Sequence, residues 1–455
     1  MIDSNDARVI IAPNDPALRT MGRIDDADPT RPIWVYPYTQ VAFRFTGTSL
    51  TADLINYWNY GDSHLEVIID GVTAKVRIPS GFAGLNDMPN SSTASHDPTD
   101  DMQPETSVEL PAPASPRTPF GTGWTNALPN SSAGATATPV TVTLADNLPN
   151  IEHTAIVCKR QDGQHYVQLF GFGLDAGARV LPPLDPAPVR RMEIFGDSVS
   201  CGERNEAALY VGQLDPDVDL SSYSNAWMSY GAIAARRLGA ALHDVSQGGA
   251  SLIDGIGWFR GPDYIGQESI WDRVEYNPTL GETKPWDFAR YTPQVVVIAI
   301  GQNDAHPDDF MARDYHGEQA AHWRSRYVDF LRSLHERYPH ATIICTTTML
   351  RHDPAWDRAI DEAVYTFNAD LAAEAQDLAA LCQLGMGAAA EHAASAGNRP
   401  AGPSASVGHA PVAYHFLYSR NGVATPGHPR VAEHEEMARE LAAFIESLGP
   451  SVWND

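Results

Sequence analysis

Four short stretches of this sequence carry side chains suited to acyl transfer, and each stands beside an apolar run or a helix start. Phe195-Gly196-Asp197-Ser198-Val199-Ser200-Cys201-Gly202 follows the run Met192–Phe195, and its Ser198 hydroxyl is a candidate nucleophile. A small residue beside a serine at a strand end lets the backbone turn sharply and lifts the hydroxyl to the sheet edge. Ser246-Gln247-Gly248-Gly249-Ala250-Ser251 follows Ala241–Val245. Its paired glycines leave a backbone N–H open to a substrate oxygen, since no side chain stands in the way. Gly301-Gln302-Asn303-Asp304 follows Val295–Ile300, where a side-chain amide can donate to the same oxygen. Gly427-His428-Pro429 comes just before the terminal helical pattern; Pro429 and Arg430 suit a helix start, so His428 belongs to the loop above it. Together these are the parts acyl transfer needs. Ser198 attacks, and His428 takes and returns the proton. The N–H groups of Ser198 and of Gly249 (or Gly248), with the Asn303 amide, stabilise the oxyanion. A Gly-Asp-Ser triplet or a lone histidine means little singly. Order and placement carry the reading.

The elements that must position these residues fall into two halves. Residues 1–183 read as β. Pro32–Thr51 alternates apolar and polar positions, and Leu65–Ile78 is a hairpin signature turning at Asp70-Gly71. Val140–Leu144, His153–Arg160 and His165–Leu174 add strands, which together predict a β-sandwich or jelly roll. Within it, residues 81–139 turn to Ser, Thr, Pro, Ala, Asn and Asp, the composition of an irregular insertion. The proline-rich joint Leu181–Arg191 leads into residues 184–455, where apolar runs alternate with helical patterns. Val295–Ile300 has the β-branched run of a strand buried on both faces, and Arg430–Leu448 sets Val431, Met437, Leu441, Phe444, Ile445 and Leu448 on one helix face. The expectation is an α/β domain with a parallel sheet between helices, its site beyond the carboxyl ends of the strands. Trp258, Trp271 and Trp286 lie in the long irregular stretch between the glycine and asparagine motifs. They are candidate substrate-stacking residues on loops at that end of the sheet.

Composition narrows the partners. With 31 basic and 57 acidic residues the chain carries −26, which repels phosphate backbones and anionic lipid. Nucleic acid and membrane surfaces are therefore not expected partners, and a neutral substrate is. No apolar run approaches the about 20 residues of a membrane helix. Cys158, Cys201, Cys345 and Cys382 lack metal-ligand or disulfide-framework spacing, so no metal and no cofactor is expected. The opening MIDSNDARVI has neither a basic nor an apolar signal region, which reads as cytoplasmic. A homo-oligomer is left open.

The four motifs resemble those of the SGNH, or GDSL-like, hydrolase superfamily, named for these four residues. The resemblance implies a flavodoxin-like three-layer α/β/α fold and ester hydrolysis. Upstream, Val41–Leu54, the His64–Gly71 hairpin, and Phe170–Pro183 leading into the Ser198 motif look like carbohydrate esterase family 2. That family joins a jelly roll to an SGNH domain and removes acetyl groups from plant polysaccharides. A carbohydrate O-acetylesterase acting on acetylated carbohydrate through an acyl-serine is the implied function. An acyltransferase or general short-chain esterase with the same site is one alternative, and a non-catalytic carbohydrate-binding protein is another. One departure stands out: SGNH enzymes commonly carry an aspartate two or three residues before the histidine, and here those positions are Pro426 and Thr425. A Ser–His dyad with a backbone carbonyl on Nδ1 is the expectation, the other course being an acid from elsewhere; Asp197 and Asp304 read as turn-holding residues. His243, His415 and His434 read as packed or structural.

Overall fold

The computed structural model describes residues 8–57, 63–79, 138–259, 264–278, 280–394 and 412–454. In the first half, two six-stranded antiparallel sheets form a sandwich. One sheet runs Ile24–Asp25, Ile33–Trp34, Val167–Leu174, Leu50–Asn56 and Val140–Ala145, with Val9–Ile11 also on Val167–Leu174. The other runs Val180–Leu181, Gln40–Gly47, Ile151–Lys159, Ser63–Ile69 and Val72–Ile78, with Arg19–Met21 on Gln40–Gly47. The period-2 pattern does what it must: Val41, Phe43 and Phe45 face inward and meet Leu54, Leu169 and Phe172 of the opposite sheet. The Phe43 and Phe172 rings lie 5.2 Å apart. The hairpin turns at Asp70-Gly71 with φ of 50° and 82°, the left-handed pair that a two-residue hairpin turn needs. Up to residue 137, the Ser/Thr/Pro-rich stretch lies outside the described residues.

After the joint, five parallel strands form a third sheet in the order Ala240–Ser246, Arg190–Gly196, Val295–Ala299, Thr342–Thr346, Ala413–His415. Numbered along the chain this is 2-1-3-4-5, the flavodoxin-like order, whose switch point lies between the first and third strands. Val296 and Ile298 pack to one face with Trp323, Tyr327 and Leu331 of helix Glu318–Arg337 and Trp356 and Ile360 of helix Pro354–Ala394. Val295 and Val297 pack to the other with Leu238 of helix Tyr230–Leu238 and Met437, Leu441 and Ile445 of helix Val431–Ser447. These are three layers, as expected. The pattern over Ala226–Gly239 reads as a single helix, but it breaks at Ser229, whose hydroxyl caps Tyr230–Leu238, after a single 3-10 turn at Ala226–Met228. The helix from Pro354 starts just after Asp353, whose carboxylate accepts the Ala355 N–H at 2.8 Å.

The halves are clamped by ion pairing. Arg23, of the sandwich, is fully buried against Glu193 of the first parallel strand at 2.9 Å, and the Tyr338 hydroxyl donates to the same carboxylate at 2.8 Å. A buried pair survives desolvation only when both partners are satisfied. No helix among the described residues is long and apolar enough to cross a membrane.

Candidate active site

Ser198 sits at the switch point, on the turn that leaves strand Arg190–Gly196. The turn closes on itself: Cys201 N–H donates to Asp197 O at 3.0 Å and Glu203 N–H to Ser198 O at 2.9 Å. Gly196 is demanded sterically, since a Cβ there would stand 2.2 Å from Ser200 Oγ. The Asp197 carboxylate, wholly buried, accepts the Val199 N–H (3.0 Å), the Gln302 amide on both oxygens (3.0 and 2.8 Å) and the Asn303 amide (3.1 Å). Burial pushes its pKa up to about 7, against the opposing pull of those donors and of the nearby His428. Asp197 thus ties the serine turn to the third-strand loop. Ser198 is 4 % exposed and its hydroxyl makes no hydrogen bond among the described residues.

The candidate oxyanion donors separate. Gly248 N–H donates to the Asp162 carboxylate at 3.2 Å, so it is committed. Gly249, at φ 75°, has an N–H with no acceptor among the described residues. Its glycine is required: a Cβ would meet Phe259 N at 2.7 Å and the Trp258 backbone at 2.8 Å. The Asn303 amide, expected as an oxyanion donor, spends both hydrogens internally, on Asp197 and on Ala250 O at 3.1 Å. It can serve an oxyanion only by exchanging one of these. Ser198 N–H and Gly249 N–H are the donors that stand ready.

His428 acquires the acid that Thr425 and Pro426 cannot supply. Asp215, on the loop between the first strand and helix Tyr230–Leu238, places Oδ2 2.5 Å from His428 Nδ1 and 3.2 Å from the His428 backbone N–H. The ring is held by a carboxylate, which corrects the expectation of a backbone carbonyl. Arg430 pairs with the other Asp215 oxygen, and Arg204 approaches at 3.3 Å. Burial alone would raise the Asp215 pKa; the His428 contact, then Arg430 and Arg204, hold it well below the usual carboxylate range. Gly427 permits this approach, because a Cβ there would lie 2.5 Å from Gln213 O and 3.0 Å from Asp215 N. His428 Nε2 carries no hydrogen bond among the described residues, and nucleophile–base contacts commonly close only with substrate bound.

Four other histidines are held in place by neighbours. His352 Nδ1 meets Leu350 O at 2.7 Å and its Nε2 meets Asp357 at 3.1 Å. His434 Nδ1 accepts the Tyr230 N–H at 3.0 Å, and burial lowers its pKa to about 3. His243 stacks on Tyr291 at 3.5 Å, and His415 Nδ1 lies 3.2 Å from Asp361. Of the tryptophans, Trp258 stays beside the site, its backbone N–H on Gly249 O and its ring stacked on His306 at 3.4 Å. Trp271 and Trp286 do not. Trp271 packs on Phe288 and Phe330, and its carbonyl accepts the Arg23 guanidinium. Trp286 lies edge-on to His243 with Arg23 over its ring. Both serve the clamp between the halves, because the chain descends from the strand ends after Gly266. Among the described residues, no group of three His, Cys, Asp or Glu side chains is arranged to hold a metal ion.

Comparison with known proteins bears on this arrangement. The model of the GDSL-like Lipase/Acylhydrolase family matches residues 194–416, and that of the carbohydrate esterase 2 N-terminal region matches residues 20–85. Cellulase/esterase CelE of Acetivibrio thermocellus is 31% identical over 222 residues, 48% of this chain and 24% of that protein. The chain therefore spans about a quarter of that relative's length. An acetylxylan esterase / glucomannan deacetylase of Cellvibrio japonicus is 26% identical over 340 residues, 74% of this chain and 72% of the relative. Among solved structures, a family two carbohydrate esterase from Cellvibrio japonicus aligns with TM-score 0.61 at 20% identity, covering 98% of this chain and 99% of that one. The salicylyl-acyltransferase SsfX3 from a tetracycline biosynthetic pathway aligns with TM-score 0.51 at 13% identity over 98% and 99%. These two likenesses show a shared fold.

Proposed function

Because this chain belongs to the GDSL-like (SGNH) hydrolase superfamily and is related to the carbohydrate esterases of family 2, we propose that it is a carbohydrate O-acetylesterase working through an acetyl-serine at Ser198. In this reading Ser198 Oγ attacks the acetyl carbonyl carbon as its proton passes to His428 Nε2. The carbonyl oxygen becomes an oxyanion between the N–H groups of Ser198 and Gly249. His428 then protonates the departing sugar oxygen. Water attacks the acetyl-serine with the same base, releasing acetate and restoring the hydroxyl.

The observation that carries the proposal is the Asp215 carboxylate on His428 Nδ1 at 2.5 Å. It fixes the tautomer that leaves Nε2 free to take a proton and compensates the imidazolium that results. It also weighs against a non-catalytic carbohydrate-binding protein, because the histidine has the acid that Thr425 and Pro426 lack. The substrate class is supported by the relatives, one of which bears the name acetylxylan esterase / glucomannan deacetylase, and by a net charge of −26 that favours neutral ligands. Trp258 is the tryptophan positioned to flank such a substrate, being hydrogen-bonded to the glycine turn. The test is pre-steady-state acetate chemistry on a panel of acetylated mono- and oligosaccharides. A burst of one sugar product per site, lost in Ser198→Ala, is expected. Full turnover by Ser198→Ala would end the proposal, and acetyl transfer to added sugar in place of acetate release would shift it to acyltransfer.

A further inference from the structure

The glycine turn of the candidate site is held from outside its own domain. Asp162 belongs to the sandwich, on the loop between strands Ile151–Lys159 and Val167–Leu174, yet its carboxylate reaches the turn after the second parallel strand. Oδ2 accepts the Gln247 side-chain amide at 2.7 Å and the Gly248 N–H at 3.2 Å, while Oδ1 accepts the Gln164 N–H at 3.1 Å. Gly248 is what admits it: a Cβ there would stand 2.9 Å from that oxygen and 2.7 Å from Glu203 Oε2. The sandwich loop is itself shaped for the task. Buried Lys159 donates to the carbonyls of Gln161 and Asp162 at 2.6 and 2.5 Å. The Tyr166 hydroxyl accepts the N–H groups of Tyr276 and Asn277, both at 3.0 Å. Tyr276 OH closes the ring of contacts on Gln247 Oε1 at 2.5 Å.

We propose that Asp162 is a positioning residue for the oxyanion hole: by holding Gly248 N–H and Gln247, the sandwich domain fixes the turn so that Gly249 N–H faces the acyl oxygen. The inference rests on the Ser198–His428 reading of the site and adds to it that the two domains form one catalytic unit. The carboxylate makes no contact with the reacting atoms. Its effect therefore belongs to the transition state, when the oxygen becomes charged and depends on donor alignment.

The test compares the full-length wild type, Asp162→Ala, Asp162→Asn and Ser198→Ala on 4-nitrophenyl acetate and acetylated xylose, with kcat expressed per site titrated by fluorophosphonate. Asp162→Ala should lose about 10²-fold in kcat, the scale of a misplaced catalytic group, with KM within about twofold. An alkylboronic acid, which forms a tetrahedral adduct on serine, should weaken by the same factor while inhibition by acetate holds. Asp162→Asn, which keeps one acceptor, should recover part of the loss. A purely structural role would lower the titratable fraction and leave kcat per site intact. Thus an Asp162→Ala kcat within about threefold of wild type, or a loss confined to KM, overturns the proposal. If Asp162→Ala does not fold, Asp162→Asn decides: a kcat lowered at unchanged KM supports it, and a wild-type kcat overturns it. Wild-type turnover with an unchanged Asp162→Ala sinks this inference alone, whereas a wild type no faster than Ser198→Ala sinks it together with the function it rests on.

Discussion

Replacing Asp215 by asparagine should cost about 10³-fold in kcat, a figure that follows from the charges the structure assembles. In the proposed reaction, attack by Ser198 converts His428 into an imidazolium whose Nδ1 lies 2.5 Å from the Asp215 carboxylate. The carboxylate side chain is 8 % exposed and the ring 17 %, so an effective dielectric of about 20 suits the pair. With charge centres about 4 Å apart, the attraction is then about 4 kcal/mol. At about 1.4 kcal/mol per decade this is about 10³ in rate. Asparagine keeps the volume and one acceptor but removes the charge, and its amide can turn an N–H toward Nδ1 and force the wrong tautomer. It also takes from Arg430 the carboxylate it pairs with and leaves Arg204 only Glu203, at 3.3 Å, so the positive charge around the ring grows. The assay is kcat by acetate release, normalised to sites labelled at Ser198. KM should stay within about threefold, because the lost interaction exists only in the transition state. Retention of more than about a tenth of kcat would refute the reasoning and return the site to a dyad held by backbone.

Two further outcomes follow from the same geometry. Gly427→Ala would push a Cβ to 2.5 Å from Gln213 O, so the loop bearing Asp215 must retreat; kcat should fall by about 10 to 10²-fold with labelling stoichiometry at Ser198 unchanged, and an unaltered kcat would show that the approach is not needed. The second outcome concerns pH and the His352–Asp357 pair, in contact at 3.1 Å. Burial would lower the His352 pKa, but Asp357 raises it above the ordinary value; burial would raise that of Asp357, but His352 lowers it. A raised histidine contributes stability that is full below its unfolded pKa of about 6.5 and is lost as pH rises through the folded value. A depressed aspartate contributes stability present above about 3.9 and lost as pH falls through its folded value. The pair is therefore strongest between about pH 4 and 6.5. His352→Gln should flatten the pH dependence of the urea midpoint across the neutral range, and an unchanged slope there would contradict the assignment.

What the sequence made legible is what local pattern controls. A short apolar run followed by a turn motif predicts a strand end. Three such ends, at Ser198, Gly248-Gly249 and Asn303, fall together because the parallel order 2-1-3-4-5 brings their carboxyl ends to one edge. His428 was legible for a similar reason: Pro429 and Arg430 announce a helix start, and the loop before a final helix lies at that edge. What stayed hidden were partners chosen by three-dimensional proximity alone. Asp215 lies 213 residues before His428, in a stretch that also holds Asp217 and Asp219, with nothing local to single it out. Asp162 comes from the other domain. Trp271 and Trp286 show the converse: they neighbour the site's motifs in sequence but pack at the contact between the halves.

One signal pointed at the missing acid without proximity. An arginine at a helix start is opposed by the positive end of the helix dipole and finds no compensation from the helix itself. Arg430 occupies that position, as the N-cap of Val431–Ser447, and is only 3 % exposed. A guanidinium so placed requires a buried anion at hydrogen-bond distance, and the nearest acid along the chain, Glu433, spends its carboxylate on the Arg430 backbone N–H at 2.8 Å. The anion must therefore arrive from a remote loop, two residues from the candidate base, where it can serve both charges. Asp215 does so, with one oxygen on Arg430 and the other on His428. An arginine following the histidine of a Gly-His-Pro turn is in this sense the trace, in the sequence, of an acid that lies elsewhere.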